Sequence, residues 1–228
     1  MGGKDKRLLS NARALSSLHL LFLLFSSGIP CIAQGDNSSF SSSSFPFPPK
    51  YIPPDNYLSN CGSPVNTLLD DGRTFLSDPE SSSFLSTDEN ISTSVDSLSS
   101  SSSSSPSVDS LPLYLTARIF QHESTYEFPI FKPGRHWLRL YFHPLPNQKY
   151  NLLTAVFSVT ADTTVVLNQF SVENNTTMVF KDYLINISSN GLPLKFSPIG
   201  NSFAFINAIE LISAPDSLIP DSSNALEV

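Results

Sequence analysis

Short segments in which apolar and polar residues alternate restrict the fold of this chain more than any other feature. In residues 136–142, Leu138, Leu140 and Phe142 share one face of a strand, because successive side chains of a strand point to opposite sides. Similar runs occupy residues 113–120, 124–130, 155–161, 163–170, 177–187, 192–196 and 203–212. No apolar stripe with helical spacing competes with them. Many short strands separated by turn residues predict an all-β sandwich or barrel.

Three stretches rich in Ser or Pro set the boundaries of this β-rich region. Residues 34–50 predict a flexible leader, and residues 217–228 predict a C-terminal linker. Residues 77–110, which include seven consecutive Ser at 99–105 followed by Pro106, predict a disordered surface loop. Such stretches bury too little apolar area to offset the conformational entropy lost on ordering. The ordered domain is therefore expected over residues 51–216.

The first 33 residues have the composition of a secretory signal peptide. Basic residues from Lys4 to Arg13 precede an apolar run at 18–25, and Cys31 and Ala33 supply small residues before a cleavage site. An uncleaved anchor is the alternative, although the run is shorter than the roughly 20 residues that span a bilayer. No second apolar stretch approaches that length. The chain is therefore expected to enter the secretory pathway.

Five Asn-X-Ser/Thr sequons follow this segment and are candidate sites of N-glycosylation. They are Asn37, Asn90, Asn174, Asn175 and Asn186. Asn174 and Asn175 overlap, so this pair is expected to carry one glycan at most. A glycosylated Asn must face solvent, and each sequon therefore also predicts a surface position.

Charge and cysteine content exclude several classes of protein. The chain has 13 Lys+Arg against 20 Asp+Glu, a formal net charge of −7. Nucleic acid is not an expected partner, because phosphate binding needs clustered Lys and Arg. Two cysteines are too few for a disulfide scaffold or a Cys-rich zinc module. Cleavage of the signal would remove Cys31 and leave Cys61 with no partner in the mature chain.

No catalytic, cofactor or metal motif is present in the sequence. There is no Gly-rich phosphate loop, no His-Glu-x-x-His and no Gly-x-Ser-x-Gly. The adjacent His122 and Glu123 are expected to lie in a solvated loop, since neighbours on a strand point to opposite faces. His136 and His143 are an odd number of positions apart, so they are expected on opposite faces of the strand. They therefore do not predict a metal site, which needs convergent side chains. We therefore expect no enzyme activity, no cofactor and no metal.

Several motifs, taken together in their order, resemble plant malectin-like domains, specifically the first ectodomain module of the FERONIA/THESEUS-type receptor-like kinases. The resemblance covers residues 51–216. The motifs that carry it are Tyr57-Leu58-Ser59-Asn60-Cys61-Gly62, Thr116-Ala117-Arg118-Ile119-Phe120, Gly134-Arg135-His136-Trp137-Leu138-Arg139-Leu140-Tyr141-Phe142-His143-Pro144, Ala155-Val156-Phe157-Ser158-Val159, Asp182-Tyr183-Leu184-Ile185-Asn186-Ile187, Leu194-Lys195-Phe196-Ser197-Pro198 and Ser202-Phe203-Ala204-Phe205-Ile206-Asn207-Ala208-Ile209-Glu210-Leu211.

The resemblance implies a jelly-roll-type β-sandwich in the extracellular part of a plasma-membrane receptor. The implied partner is a cell-wall glycan or a secreted signalling peptide, with a co-receptor. Full-length members add a second such module, a transmembrane helix and a kinase, none of which this sequence shows. A secreted decoy and a non-functional truncated remnant are the alternatives for a chain of this extent. A glycan-active enzyme on the same sandwich is a third hypothesis, and it would require two converging carboxylates.

Five residues are candidates for carbohydrate binding. Sugar sites stack a pyranose ring on an exposed aromatic side chain and surround it with polar hydrogen-bonding groups. The candidate aromatic residues are Tyr126, Trp137 and Tyr141, and the candidate polar residues are Arg135 and Arg139.

Overall fold

The computed structural model describes residues 51–98, 108–174, 178–215 and 225–227. The chain separates into two units, Met1–Pro48 and Pro49–Val228. The first unit lies outside the described residues, as do the predicted signal segment and leader. The fold is therefore that of the second unit.

Antiparallel strands are the predominant regular structure of the described residues. In chain order they are β1 (Asn56–Asn60), β2 (Thr67–Leu68), β3 (Thr74–Phe75), β4 (Leu85–Ser86), β5 (Ile91–Ser94), β6 (Thr116–Phe120), β7 (Ser124–Pro129), β8 (Gly134–Phe142), β9 (Phe157–Ala161), β10 (Thr164–Phe170), β11 (Val179–Ile187), β12 (Gly191–Pro198), β13 (Ala204–Ile206), β14 (Ala208–Ser213) and β15 (Ala225–Glu227). The helical elements are short: α1 (Asp78–Ser81) and 3₁₀ turns at Ser82–Phe84, Val108–Tyr114 and Leu152–Thr154.

Two five-stranded sheets face each other and enclose the main core. The first sheet has the order β1-β14-β8-β11-β15 and the second β10-β9-β12-β7-β4. Phe142 of the first sheet meets Phe157 of the second with ring centroids 5.8 Å apart. Successive strands such as β8 and β9 lie in opposite sheets. The predicted all-β, jelly-roll-type sandwich is confirmed, with a smaller sheet β13-β6-β5 and the β2-β3 hairpin beside it.

Part of the tract predicted as a disordered loop is folded. Residues 77–98 contain α1, β4 and β5, whereas residues 99–107 lie outside the described part of the chain. Ser77 caps α1 by accepting a hydrogen bond from the N–H of Glu80. Five apolar side chains from this stretch pack against the core: Phe84, Leu85, Ile91, Val95 and Leu98. The prediction was wrong here because it weighed the Ser content above these apolar positions.

Residues 113–120, predicted as one strand, form a strand only from Thr116 onward. Leu113 and Tyr114 instead end the 3₁₀ turn that contains Pro112. Both side chains are fully buried, but in a second cluster on the outer face of the first sheet. Their apolar character therefore reflects burial outside the sandwich interior.

The apolar run 203–212, predicted as one central strand, is broken at Asn207. β13 and β14 on either side of this residue belong to different sheets. The side-chain oxygen of Asn207 accepts from the N–H of His143 at 2.7 Å, and its amide donates to the carbonyl of Thr116 at 2.7 Å. Asn207, one of two polar residues in the run, is thus the point at which the chain crosses between sheets.

The predicted C-terminal linker, 217–228, contains β15. This strand pairs antiparallel with β11, with Leu226 opposite Leu184. A sheet edge offers unpaired backbone groups that favour the addition of a strand. Residues 216–224 and 228 lie outside the described residues.

Cys61 is a fully buried free thiol among the described residues. The Tyr126 hydroxyl lies 3.5 Å from its sulfur, and burial raises the pKa of the thiol far above its usual value. Thiolate is the reactive form, so we expect iodoacetamide to label Cys61 only after denaturation. Peptide mapping of native and denatured samples checks this. Labelling of the native protein as fast as of the denatured one would contradict the buried position.

Candidate binding surfaces

Strand β8 places four of the five candidate sugar-binding residues on one face. Arg135, Trp137, Arg139 and Tyr141 alternate with the core residues Leu138 and Leu140, and therefore project from the outer side of the first sheet. Their neighbours come from β11 and β14, which flank β8. The four side chains share a face but, as described below, they do not share an environment.

Tyr126, the fifth candidate, lies in the opposite sheet and in the core. It is 1% exposed, and its ring stacks on Phe128 with an interplanar angle of 6°. Burial raises the pKa of its hydroxyl well above the usual value. A sugar has no access to either ring face, so the structure removes Tyr126 from the candidate site. Polar Thr125 and Glu127 on the other face of β7 were the signal for this orientation.

Arg139 and Tyr141 belong to a network of charged groups on the outer face. Arg139 donates to both carboxylate oxygens of Asp182 at 2.5 and 2.6 Å. The Tyr141 hydroxyl donates to Glu210, which also accepts from Arg73 at 2.8 Å. The strand register explains the contacts, because Asp182 and Glu210 are the cross-strand partners of Arg139 on its two sides.

The network neutralises these groups and anchors the β2-β3 hairpin to the sheet. Burial tends to lower the pKa of Arg139, but the hydrogen bonds that Arg139 donates to Asp182 outweigh this and raise it. Burial, together with the charge of Glu210, raises the pKa of Tyr141. Tyr141 is 1% exposed and packs in the cluster that contains Phe75 of the hairpin. Tyr141 is therefore also removed from the candidate sugar site, and Arg139 is already paired.

Trp137 and Arg135 remain accessible. Both are half-buried. Leu184 of β11 and Ile212 of β14 are the cross-strand partners of Trp137, and together the three form an apolar band that we call the Trp137 stripe. Asn186, the cross-strand partner of Arg135, lies next to this stripe on the same face. One partly exposed aromatic ring bordered by Arg and Asn is what remains of the predicted cluster.

A buried polar cluster that the sequence analysis missed lies at one end of the sandwich. The carboxylate of Asp55 accepts hydrogen bonds from the N–H groups of Phe131 and Lys132 at 2.8 and 3.2 Å. It also lies 3.1 Å from His136 Nε2 and accepts from the Ser213 hydroxyl at 3.0 Å. The three side chains come from segments far apart in the sequence, so spacing gave no signal.

This cluster has the residue types of a hydrolase triad but not its geometry. In a triad the Asp and the Ser contact different nitrogens of the His ring. Here both Asp55 and Ser213 contact Nε2 of His136, while Nδ1 faces the carbonyl of Gly134 at 3.0 Å. All three side chains are almost completely buried. The arrangement joins the chain ahead of β1 to β8 and β14, and it exposes no nucleophile.

Three exposed apolar side chains surround the Asp55 cluster. Phe131 is 80% exposed, Ile52 82% and Tyr51 44%. Backbone bonds to Asp55 hold Phe131, and the Tyr51 hydroxyl donates to the carbonyl of Ser213 at 3.2 Å. We call these three residues the Phe131 surface. The contacts of Phe131 and Tyr51 with this buried cluster fix their positions, which favours a role in binding over that of a loose turn.

Among the described residues, clefts lie beside both sheets, and two of them bear on catalysis. One of about 260 Å³ lies between the β9-β10 turn and the end of β11, and Asp162 is its one carboxylate. The other, about 160 Å³ beside β1, has no acidic residue in its lining. Neither of these clefts presents the pair of carboxylates that glycoside hydrolysis requires.

The predicted glycosylation sites that the structure describes lie at the surface. Asn90, Asn174 and Asn186 are exposed. Asn37 and Asn175 lie outside the described residues. Within the described part of the chain, no helix is long and apolar enough to cross a membrane.

Comparison with known proteins identifies the family. Probable receptor-like protein kinase At5g61350 of Arabidopsis thaliana is 48% identical over 226 residues, which cover 99% of this chain and 24% of that protein. The chain thus spans about a quarter of that relative. The crystal structure of the plant receptor-like kinase FER matches with a TM-score of 0.61 and 33% identity, over 76% of this chain and 47% of that chain.

A second solved structure contains ligands. It is the plant peptide RALF23 in complex with FER and LLG2, and it matches with a TM-score of 0.58 and 31% identity over 78% of this chain and 48% of that chain. A family model described as a malectin-like domain matches residues 60–228, most of the described sandwich. The chain belongs to the malectin-like domain family.

Proposed function

We propose that this chain is a non-catalytic recognition module of a receptor-like kinase ectodomain, and that it helps to bind a secreted signalling peptide at the cell surface. The observation that carries the proposal is its similarity to FER, whose ectodomain has been solved with the peptide RALF23 and with LLG2. In this proposal LLG2 corresponds to the co-receptor that the resemblance implies. The chain itself contributes a folded surface to the receptor. The side chains of its polar clusters form hydrogen bonds within the fold.

Charge and exposed apolar area support a peptide as the ligand. The formal net charge of −7 favours a basic partner, because complementary charge speeds association and discriminates against wrong partners. The Phe131 surface presents two strongly exposed apolar side chains on a fixed backbone, a suitable centre for a protein contact. A glycan site has less support, since two of its five expected residues are buried and Arg139 is paired.

Substitution of Phe131 tests the proposal. We expect the chain to bind RALF23 in the presence of LLG2, and Phe131→Ser to weaken that binding about tenfold, as loss of an exposed aromatic anchor does. Isothermal titration calorimetry or biolayer interferometry measures both affinities. Because the Phe131 side chain is 80% exposed, its removal leaves the core intact.

Val165→Ser is the matched control. Val165 is 58% exposed and lies on β10, at the far edge of the second sheet. The Val165→Ser variant should bind the peptide with the same affinity as the unmodified chain. Equal losses in both variants would show that the Phe131 surface has no special role. Absence of any binding, under conditions in which the FER ectodomain binds, would overturn the proposed function itself.

A further inference from the structure

Asn186 lies one diagonal step from the only tryptophan of the chain. In the register of β8 and β11, Trp137 is opposite Leu184 and Arg135 is opposite Asn186. Residues offset by two positions across an antiparallel pair lie about 7–8 Å apart on the same face, within reach of large side chains. Asn186 is exposed, and Trp137 is half-buried. A group attached to the amide of Asn186 therefore starts on the same face as Trp137, one diagonal position away.

Part of the outer face is covered by the chain itself. The cluster of Phe75, Tyr114 and their neighbours packs over Tyr141 and Ala208. This cover includes Ile212 only at its margin, and Trp137 is not part of it. The Trp137 stripe thus presents a partly exposed aromatic ring directly beside a sequon.

We propose that Asn186 carries an N-linked glycan and that the innermost N-acetylglucosamine of this glycan packs on the exposed face of Trp137. In the attachment step, the side-chain nitrogen of Asn186 bonds to the anomeric carbon of a lipid diphosphate-linked oligosaccharide. The bond from that carbon to the phosphate oxygen breaks, the lipid diphosphate leaves, and the nitrogen loses one proton. The sugar's C–H groups and acetyl methyl then meet the π-face of the indole, a favourable contact for an aromatic ring.

The local sequence suits this modification. In the sequon Asn186-Ile187-Ser188, the Ile187 side chain is buried in the core while Asn186 and Ser188 are exposed. β11 ends at Ile187, so the attachment point lies near the end of a strand and the outer sugars can extend into solvent. The inference concerns a modification of this chain, and it holds whichever ligand the receptor binds.

Fluorescence tests the contact directly because Trp137 is the one tryptophan in the chain. The full chain is secreted from cells in which glycans stay oligomannose, and mass spectrometry of peptides measures occupancy at Asn186. Endoglycosidase H then leaves one N-acetylglucosamine, and Ser188→Ala gives the same protein without any sugar at Asn186. We expect acrylamide quenching of Trp137 to be the same in the intact and trimmed forms and about twofold stronger in Ser188→Ala, since one ring face is uncovered. The melting temperature should also fall by about 2 °C in that variant.

Two control variants separate this contact from a general effect of glycans. Asn90→Gln removes a sequon that directly precedes β5 and follows Glu89, the partner of His122. This variant should change neither the quenching of Trp137 nor the melting temperature. Trp137→Leu should abolish the difference in melting temperature between the Ser188→Ala and Ser188 proteins. An unmodified Asn186, or equal Trp137 quenching with and without the innermost sugar, would overturn the proposal. Equal quenching would be observed if the sugar lay in the cleft beside Asp162 instead of on Trp137.

Discussion

Replacing Asp55 with alanine should lower the free energy of unfolding by about 3–5 kcal/mol, because several donors lose one buried acceptor and each unsatisfied buried donor costs about 1–3 kcal/mol. Asp55 is 1% exposed, and its carboxylate is the common acceptor for two backbone N–H groups, Ser213 and His136. Alanine leaves four buried or partly buried groups without this acceptor. Urea denaturation followed by circular dichroism measures the loss.

Two other aspartate variants make the result specific. Asp88 is exposed, so Asp88→Ala should change stability by no more than about 0.5 kcal/mol. Asp55→Asn keeps the shape of the side chain but turns one acceptor into a donor that faces other donors, and it should fall between the two alanine variants. If Asp55→Ala were no less stable than Asp88→Ala, the cluster would not hold the end of the sandwich together.

The same carboxylate gives stability a definite dependence on pH. Burial alone would raise the pKa of Asp55, but the hydrogen bonds from Phe131, His136, Ser213 and Lys132 outweigh it and hold the pKa below its usual value. A lowered pKa in the folded state means that the stabilisation is fully present above the unfolded pKa of about 4. It is lost as pH falls through the folded value. Asp55→Asn should remove this part of the acid sensitivity, which denaturation at a series of pH values would show.

Alternation predicted which side chains of a strand share a face, but not which face is covered. Because the period of a strand is two, Trp137, Arg139 and Tyr141 lie on the face opposite the predicted core residues of 136–142. Their different environments come from residues remote in sequence: Asp182 pairs Arg139, and Phe75 and Tyr114 cover Tyr141. A single strand contains no information about a second layer that folds back over it.

The buried polar clusters could not be predicted from the sequence for a related reason. Asp55 and His136 are 81 positions apart, and the Pro-rich segment before β1 gave no sign that its Asp would become a buried acceptor. Asn207 is different, because a single amide in a long apolar run was visible and marks the crossing between sheets. Local pattern therefore gave the strands and much of the core, while the contacts that join distant segments required the fold.

In the motif Asn60-Cys61-Gly62, a local turn coincides with a contact between distant segments. Gly62→Ala is the second substitution from which we expect a large effect. Gly62 has φ +78°, in the left-handed region that disfavours a side chain. A Cβ there would also lie 2.6 Å from the carbonyl oxygen of Ala117 and 2.7 Å from its carbonyl carbon. Those atoms belong to the backbone of a buried strand and cannot turn away, as the end of a flexible side chain could.

Gly72→Ala separates the two causes. Gly72 has φ +84°, but a Cβ there would meet nothing within 4 Å, so its variant should lose only about 1 kcal/mol for the backbone conformation. Gly62→Ala adds the overpacking of a filled core, a further 1–3 kcal/mol or so, and should melt several degrees below Gly72→Ala. Equal melting temperatures for the two variants would show that β6 can move away from the turn. A clear difference would mean that the close approach of two backbones, and not the turn alone, requires glycine in this motif.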